Sequence, residues 1–299
     1  MTRRRHVGRN LRAAAFLPIA VALCGCVQHP VEIRPAAEAR AAMERITSNL
    51  ERIDGPLNCS GLVTFRFRDT DGQKRSFFAQ PTAVVVEKPH NLLFAIRHSL
   101  GDTIAQIGSN EDRYWLWVNL PEVRKLWWGT WTALDAGQTP RIVVTPRQLL
   151  DAWLLTPVAV SLPDGDPPLL FQQGEFRWLI FTARDQDGWP GARREMHLDR
   201  LAPYLPVRII DRDAAGTILM DAELGGYRRI DEAGADAPYT PRRYVVNWPV
   251  GEAELRLDFD RVRYRSIEVP YNEFPERWQG ETERLDEPAS PLRMEPADD

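Results

Sequence analysis

The alternation Val63-Thr64-Phe65-Arg66-Phe67-Arg68, followed by the turn pair Asp71-Gly72, constrains this chain more than any other stretch. Side chains that switch between apolar and polar at every step fit a strand with one buried face, and Asp-Gly beside them fits a hairpin. The signal recurs. A return strand runs to Glu87, Lys88-Pro89-His90-Asn91 makes a turn, and strands are predicted over Leu92–Ser99, Thr103–Ser109 and Arg113–Asn119. They resume at Glu175–Arg184, Arg193–Asp199, Pro206–Asp211, Ile218–Leu224, Arg243–Trp248 and Ala253–Asp258. About eleven strands at roughly ten-residue spacing, with turn formers at the corners, predict an antiparallel meander.

Two helices break the pattern. Met43, Ile46, Leu50 and Ile53 recur at spacings of three and four within Pro35–Ile53, and Asp54-Gly55-Pro56 stops the run. A second helix is predicted over Pro146–Leu155, with Leu149, Leu150, Trp153 and Leu154 on its apolar side. The fold class is therefore mostly antiparallel β with a few helices. Leu92-Leu93-Phe94-Ala95-Ile96 and Tyr114-Trp115-Leu116-Trp117-Val118 put bulky apolar groups on both faces of their strands. One face can be the core. The other is either covered or lines an apolar cavity.

The ends of the chain differ from its middle. Arg3, Arg4, Arg5, Arg9 and Arg12 precede an apolar run ending at Leu23-Cys24-Gly25-Cys26, with no acid in the first 25 residues. The run is too short to cross a bilayer, which takes about 20 apolar residues, and it reads as a secretory signal. Leu23-Cys24-Gly25-Cys26 resembles the bacterial lipobox, which implies cleavage between Gly25 and Cys26 and acylation of the Cys26 thiol. An ordinary signal with incidental cysteines is the alternative. Residues 1–25 are then signal peptide, 26–35 a tether, 36–270 the folded domain, and 271–299 an acidic, Pro-rich tail expected to be disordered.

Loss of the five signal arginines takes the formal charge from −4 to −9. Nothing basic enough to follow a phosphate backbone remains, so nucleic acid is not an expected partner. With Cys26 acylated, Cys59 has no partner and reads as a small core residue. Glu195, His197 and Asp199 share a strand face, but Arg193 shares it too, so a solvated outer face is the better reading than a metal site. Asp211, Asp213 and Gly216 lack the further ligands of a calcium loop and read as a hairpin turn. No G-x-S-x-G or phosphate loop occurs. The chain is not expected to be an enzyme or to carry a cofactor or metal.

The order of elements resembles the LolA/LolB-like lipoprotein carriers: amphipathic helix, hairpin, meander, Leu-rich helix, second set of strands. Ser99-Leu100-Gly101-Asp102-Thr103 is similar to the Pro-Leu-Gly-Ser-Thr loop of the outer-membrane receptor LolB, and Arg147 to Leu155 resembles its short helix. The resemblance spans about residues 36–265. Ser99 in place of Pro, the Trp-rich segment 127–131 and a longer second half depart from it.

It implies a strongly curved, unclosed β-barrel capped by helices, with an apolar cavity for acyl chains. Phe65, Phe67, Phe94, Trp115, Trp117, Leu149 and Trp153 are the candidate lining, and Leu100 the membrane-engaging residue. Lys125-Leu126-Trp127-Trp128-Gly129-Thr130-Trp131 is either an interfacial aromatic patch or packing at the barrel mouth. The implied partners are the membrane through the lipid anchor, an acylated lipoprotein or lipid, and a soluble LolA-like carrier, for a monomer. Val27 after the anchor Cys implies the outer membrane, facing the periplasm. An envelope interaction or sensor lipoprotein of the same fold, its interior filled by its own side chains, is the alternative.

Overall fold

The computed structural model describes residues 29–68, 72–121, 123–136, 144–156, 167–184, 188–231, 233–265, 273–276, 278 and 280–286. Gly25 and Cys26 lie outside them, as do the signal peptide and the last residues of the tail. The first half of the chain contains β1 (Glu32–Ile33), α1 (Ala36–Glu51), β2 (Leu57–Arg68), β3 (Lys74–Glu87), β4 (Asn91–Arg97), β5 (Thr103–Ser109), β6 (Arg113–Leu120), β7 (Val123–Thr130), α2 (Trp131–Asp135) and α3 (Pro146–Ala152). The second half contains β8 (Leu169–Gln173), β9 (Phe176–Arg184), β10 (Pro190–Leu198), β11 (Pro206–Arg212), β12 (Ile218–Gly225), β13 (Arg228–Arg229), β14 (Tyr239–Thr240), β15 (Arg243–Trp248), β16 (Ala253–Tyr264) and β17 (Glu281–Arg284).

Fifteen strands form one sheet in the order β1-β8-β9-β10-β11-β12-β15-β16-β2-β3-β4-β5-β6-β7-β17, and β13-β14 form a small second one. The two halves meet where β16 pairs antiparallel with β2, from Glu254 opposite Arg66 to Tyr264 opposite Leu57. A bulge between Phe259 and Arg261 brings the strands close. A Cβ on Gly61 would lie 2.0 Å from the Asp258 carbonyl oxygen, so only glycine fits there. The sheet's edges, β1 and β17, do not pair with each other, so it stays open.

Its curvature follows from the core. One contiguous apolar cluster joins Leu170 of β8, Phe181 of β9, Ile209 of β11, Val246 of β15, Phe94 of β4 and Ile107 of β5 with Met43 and Ile46 of α1 and Leu149 of α3. Strands ten positions apart in the sheet reach one cluster only if the sheet bends around the helices. The large, curved, unclosed sheet that the family resemblance implies is present. On α1 the stripe is buried as its spacing requires: Met43, Ile46 and Ile53 are inaccessible and Leu50 packs beside them.

Because neighbouring strands are antiparallel, their turns gather at two rims. The helix rim holds the β8–β9 turn, the β10–β11 loop and the starts of β2, β4 and β15. The opposite hairpin rim holds the β2–β3, β4–β5, β11–β12 and β15–β16 turns, as the registers fix.

Two expectations are corrected. The tether is not free throughout, because Glu32 and Ile33 pair with Gln172 and Phe171 of β8. The tail is not uniformly disordered: β17 pairs in parallel with β7, from Glu281 opposite Lys125 to Arg284 opposite Trp128. Carboxylates make that strand tolerable, since Lys125 pairs with both Glu281 (2.5 Å) and Glu283 (2.7 Å). The Trp-rich run, read as either an interfacial patch or packing at the mouth, is a strand and a helix start. Trp127 donates its indole N–H to Glu283 (3.1 Å), and Trp131 is buried, donating to the Asn110 carbonyl (2.6 Å) and stacking on His90.

Candidate functional site

The centre of the concave face is occupied by the end of α3. Thr145 and Gln148 form a reciprocal capping box around Pro146 at the first helical position. At the other end, Leu154 N–H donates to the Asp151 carbonyl (3.1 Å) and Leu155 N–H to Leu150 (2.9 Å), the pairing of a Schellman close. That close requires a left-handed residue, normally glycine. Here it is Leu154, at φ +58°, which costs about 1–2 kcal/mol for a side chain with a Cβ. The strain turns Trp153 inward. Its ring meets Phe94 edge-on (6.0 Å), Phe259 edge-on (6.4 Å) and Tyr244 (6.1 Å), and its buried indole N–H has no partner among the described residues.

Beside it remains a void of about 30 Å³, lined by Ile46 and Leu50 of α1, Ile53 just past its end, Cys59, Val86, Trp153 to Leu155, Tyr244 and Phe259. A water needs roughly 10–15 Å³ by this measure, so one or two waters fit and an acyl chain does not. Among the described residues, this void is not the open greasy hollow expected for a carrier. The physical reason is that α1 and α3 lay their own side chains where a ligand's chains would lie, removing the same apolar surface from water.

The candidate lining residues divide. Phe94, Leu149 and Trp153 lie in the concave core. Phe65 and Phe67 pack against it nearer the hairpin rim, stacked at 4.9 Å, with Phe77 at 6.2 Å from Phe67. Trp115 and Trp117 do not line the concave face, and that assignment is corrected. Leu116 and Val118 belong to the concave side, so their neighbours one residue away point outward. Trp115 lies across Gly108, where a Cβ would come within 2.2 Å of its ring. Phe274 covers Trp115 edge-on (5.7 Å) and Trp278 covers Trp117 (5.5 Å). Both tryptophans are thus under the C-terminal strap.

Of the polar groups on the concave side, only Asp211 was singled out from the sequence, and it lies in β11 rather than in the turn. Arg194 grips Asp211 bidentately (2.6 and 2.8 Å), and Asp151 at the end of α3 accepts from Thr156 (2.5 Å). Burial raises the Asp151 carboxyl above its ordinary range, opposed by the Thr156 bond and by the field of Arg194. The available signal was period-two parity: Arg194 shares a face with Met196, the inaccessible side of β10. On the outer face Glu195 accepts from Arg212 (3.0 Å) and His197 stacks on Trp178. Asp213 caps its own turn, accepting from Ala215 and Thr217. Cys59 is a core residue whose thiol burial pushes up to about 12, so it stays protonated and unreactive at neutral pH.

The cover over the void is latched by polar contacts. Asn49 of α1 pairs both ways with the Tyr239 backbone (2.9 and 2.8 Å), and Lys88 donates to the Leu50 carbonyl at the helix end (2.5 Å). Leu100 stands 86% exposed in the β4–β5 turn at the hairpin rim, away from this cover.

No family model matches the chain, and no curated protein matches it. Among solved structures, it is similar to a putative outer membrane lipoprotein-sorting protein domain from Vibrio parahaemolyticus, at 13% identity and TM-score 0.45, over 80% of this chain and 98% of that one. A DUF1329 family protein from Desulfovibrio piger aligns at 9% identity and TM-score 0.44, over 78% and 95%. A LolA superfamily protein from Nitrosomonas europaea aligns at 13% and TM-score 0.39, over 77% and 94%. With identities this low and scores below 0.5, these likenesses support no inference about what this chain binds.

Proposed function

We propose that this chain is a lipid-anchored envelope protein, seen here closed, that takes up an acyl chain on its concave face when the Trp153–Leu155 plug withdraws. The observation that carries the reading is the plug itself. A left-handed leucine and an orphaned indole N–H sit on adjacent residues at the end of a seven-residue helix, over an apolar void. Strain held at one covered point is what a displaceable element requires. An acyl chain entering there would take over the burial that Trp153 now supplies, at about 25 cal/mol per Å² of apolar surface. The proposed role is binding and release rather than chemistry, and the outer membrane is the proposed location, from Val27 after the anchor cysteine.

A second reading rests on the same volume. A void of about 30 Å³ and latches at Asn49 and Lys88 fit a permanently filled interior, and so an interaction module that docks a protein without carrying lipid.

Titration with a fluorescent C16 fatty acid separates the two. The carrier reading expects saturable binding at one or a few sites, strengthened in Trp153→Ala, where the plug is gone. No binding by either protein leaves only the filled module.

A further inference from the structure

We propose that the helix rim, not the hairpin rim bearing Leu100, is the surface that rests on the bilayer, and that it meets anionic phospholipid headgroups. The inference builds on the anchor reading and says which way the anchored protein faces. Where the described chain begins decides the direction. The His29 ring packs against Gly174 in the β8–β9 turn, and Gln173 donates to the His29 carbonyl (3.0 Å). Cys26 precedes His29 by three residues, a reach of about 10 Å at full extension. An acyl group on Cys26 therefore holds the bilayer at the helix rim.

That rim is built for such a neighbour. Phe176 at the start of β9 and Leu201 in the β10–β11 loop are 63% and 73% exposed, with Ile33 of the tether at 65%. Tyr204 of the same loop is also exposed. Two arginines lie over these rings: Arg200 over Phe176 at 5.6 Å from the ring centre, its guanidinium also in an exposed pair with Glu175 (2.9 Å) that phosphate would have to displace, and Arg45 of α1 over Tyr204 at 5.8 Å. An aromatic body with a guanidinium beside it matches the headgroup boundary, where the ring meets acyl chains and the cation meets phosphate. The void under α1 is lined by residues from this same end of the sheet, among them Leu57, Leu205 and Pro206, so the plugged face would open toward the anchoring membrane.

Leu100 faces the other way. β4 alone separates its turn from the helix rim by seven residues, about 23 Å of strand. That is over twice the reach of the leash. Anchor and Leu100 cannot both meet one bilayer while the sheet stands upright on it.

The test uses full-length, membrane-extracted protein returned to vesicles of phosphatidylethanolamine and phosphatidylglycerol, the latter supplying the anionic phosphates. Leu201→Cys and Leu100→Cys variants, both at exposed positions, carry an environment-sensitive fluorophore; Cys59 is buried and does not compete for label. Quenching by lipids spin-labelled near the headgroup is expected to be at least threefold stronger at position 201 than at 100, and weaker when phosphatidylglycerol is replaced by phosphatidylcholine. Stronger quenching at 100, or none at 201, overturns the orientation. The mass of the N-terminal peptide is measured on the same sample. An unmodified Cys26 removes the anchor reading and this inference together, whereas an acylated Cys26 with an unquenched position 201 removes the inference alone.

Discussion

Trp153 and Trp115 are both buried, both have an indole N–H without a partner among the described residues, and both pack edge-on against a phenylalanine, yet they lie on opposite faces of one sheet. Trp153 comes from a short strained helix and fills the concave centre beside a residual void. Trp115 grows from a strand, lies in the notch left by Gly108, and is sealed by Phe274 of the C-terminal strap. Burial alone therefore does not mark a binding face. What separates the two is whether the cover could withdraw and leave an apolar space behind it.

The largest expected effect is on that distinction. Trp153→Ala and Trp115→Ala should each cost about 3–5 kcal/mol in urea unfolding. Added palmitate should restore part of the loss in Trp153→Ala, through preferential binding to the folded state, and none in Trp115→Ala. Equal rescue of both would erase the difference between the faces. Next comes Gly108→Ala, which forces a methyl against the Trp115 ring and should cost about 1–3 kcal/mol by overpacking, without touching the concave side. Fatty-acid binding by that variant should equal wild type once it is folded. Phe274→Ala should cost about 1 kcal/mol and raise proteolysis near β17, leaving binding unchanged.

A smaller effect comes from acid. Burial lowers the pKa of His90, stacked on Trp131, and of His197, stacked on Trp178. Each binds its proton more readily once unfolded, so the unfolded chain takes up more protons below about pH 6.5. Their contribution is whole above that pH and is lost as pH falls through it. The urea midpoint should drop between pH 7.5 and 5.5, and His90→Gln should shrink the drop. Smallest is Leu100→Glu, which should leave stability within about 0.5 kcal/mol, as an exposed turn position permits.

Much of the fold was legible because period-two alternation and turn residues are local signals. All eleven predicted strands have counterparts, and the α1 stripe is buried as read. β7 was missed because Leu126-Trp127-Trp128 is apolar on both faces and shows no alternation, which a strand needs only when one face is wet. β17 was missed because its acidic composition matches a disordered tail, and the lysine that makes it a strand lies some 150 residues away in the chain. The site was less legible. Parity could place Phe94 and Trp115 on definite faces, but only the register to Leu116 and Val118 shows which face is concave. Whether the concavity is empty depends on how far α3 reaches inward, and that is decided by the left-handed turn at Leu154, which leucine does not announce.

The most direct measurement is native mass spectrometry of the full-length protein, extracted from membranes in mild detergent. The closed-carrier account predicts a non-covalent acyl-lipid adduct beyond any mass on Cys26, absent when palmitate-free detergent exchange is prolonged and regained on adding fatty acid. A protein that carries no such adduct and acquires none would contradict it, and would leave a filled half-barrel whose work is done on its surface.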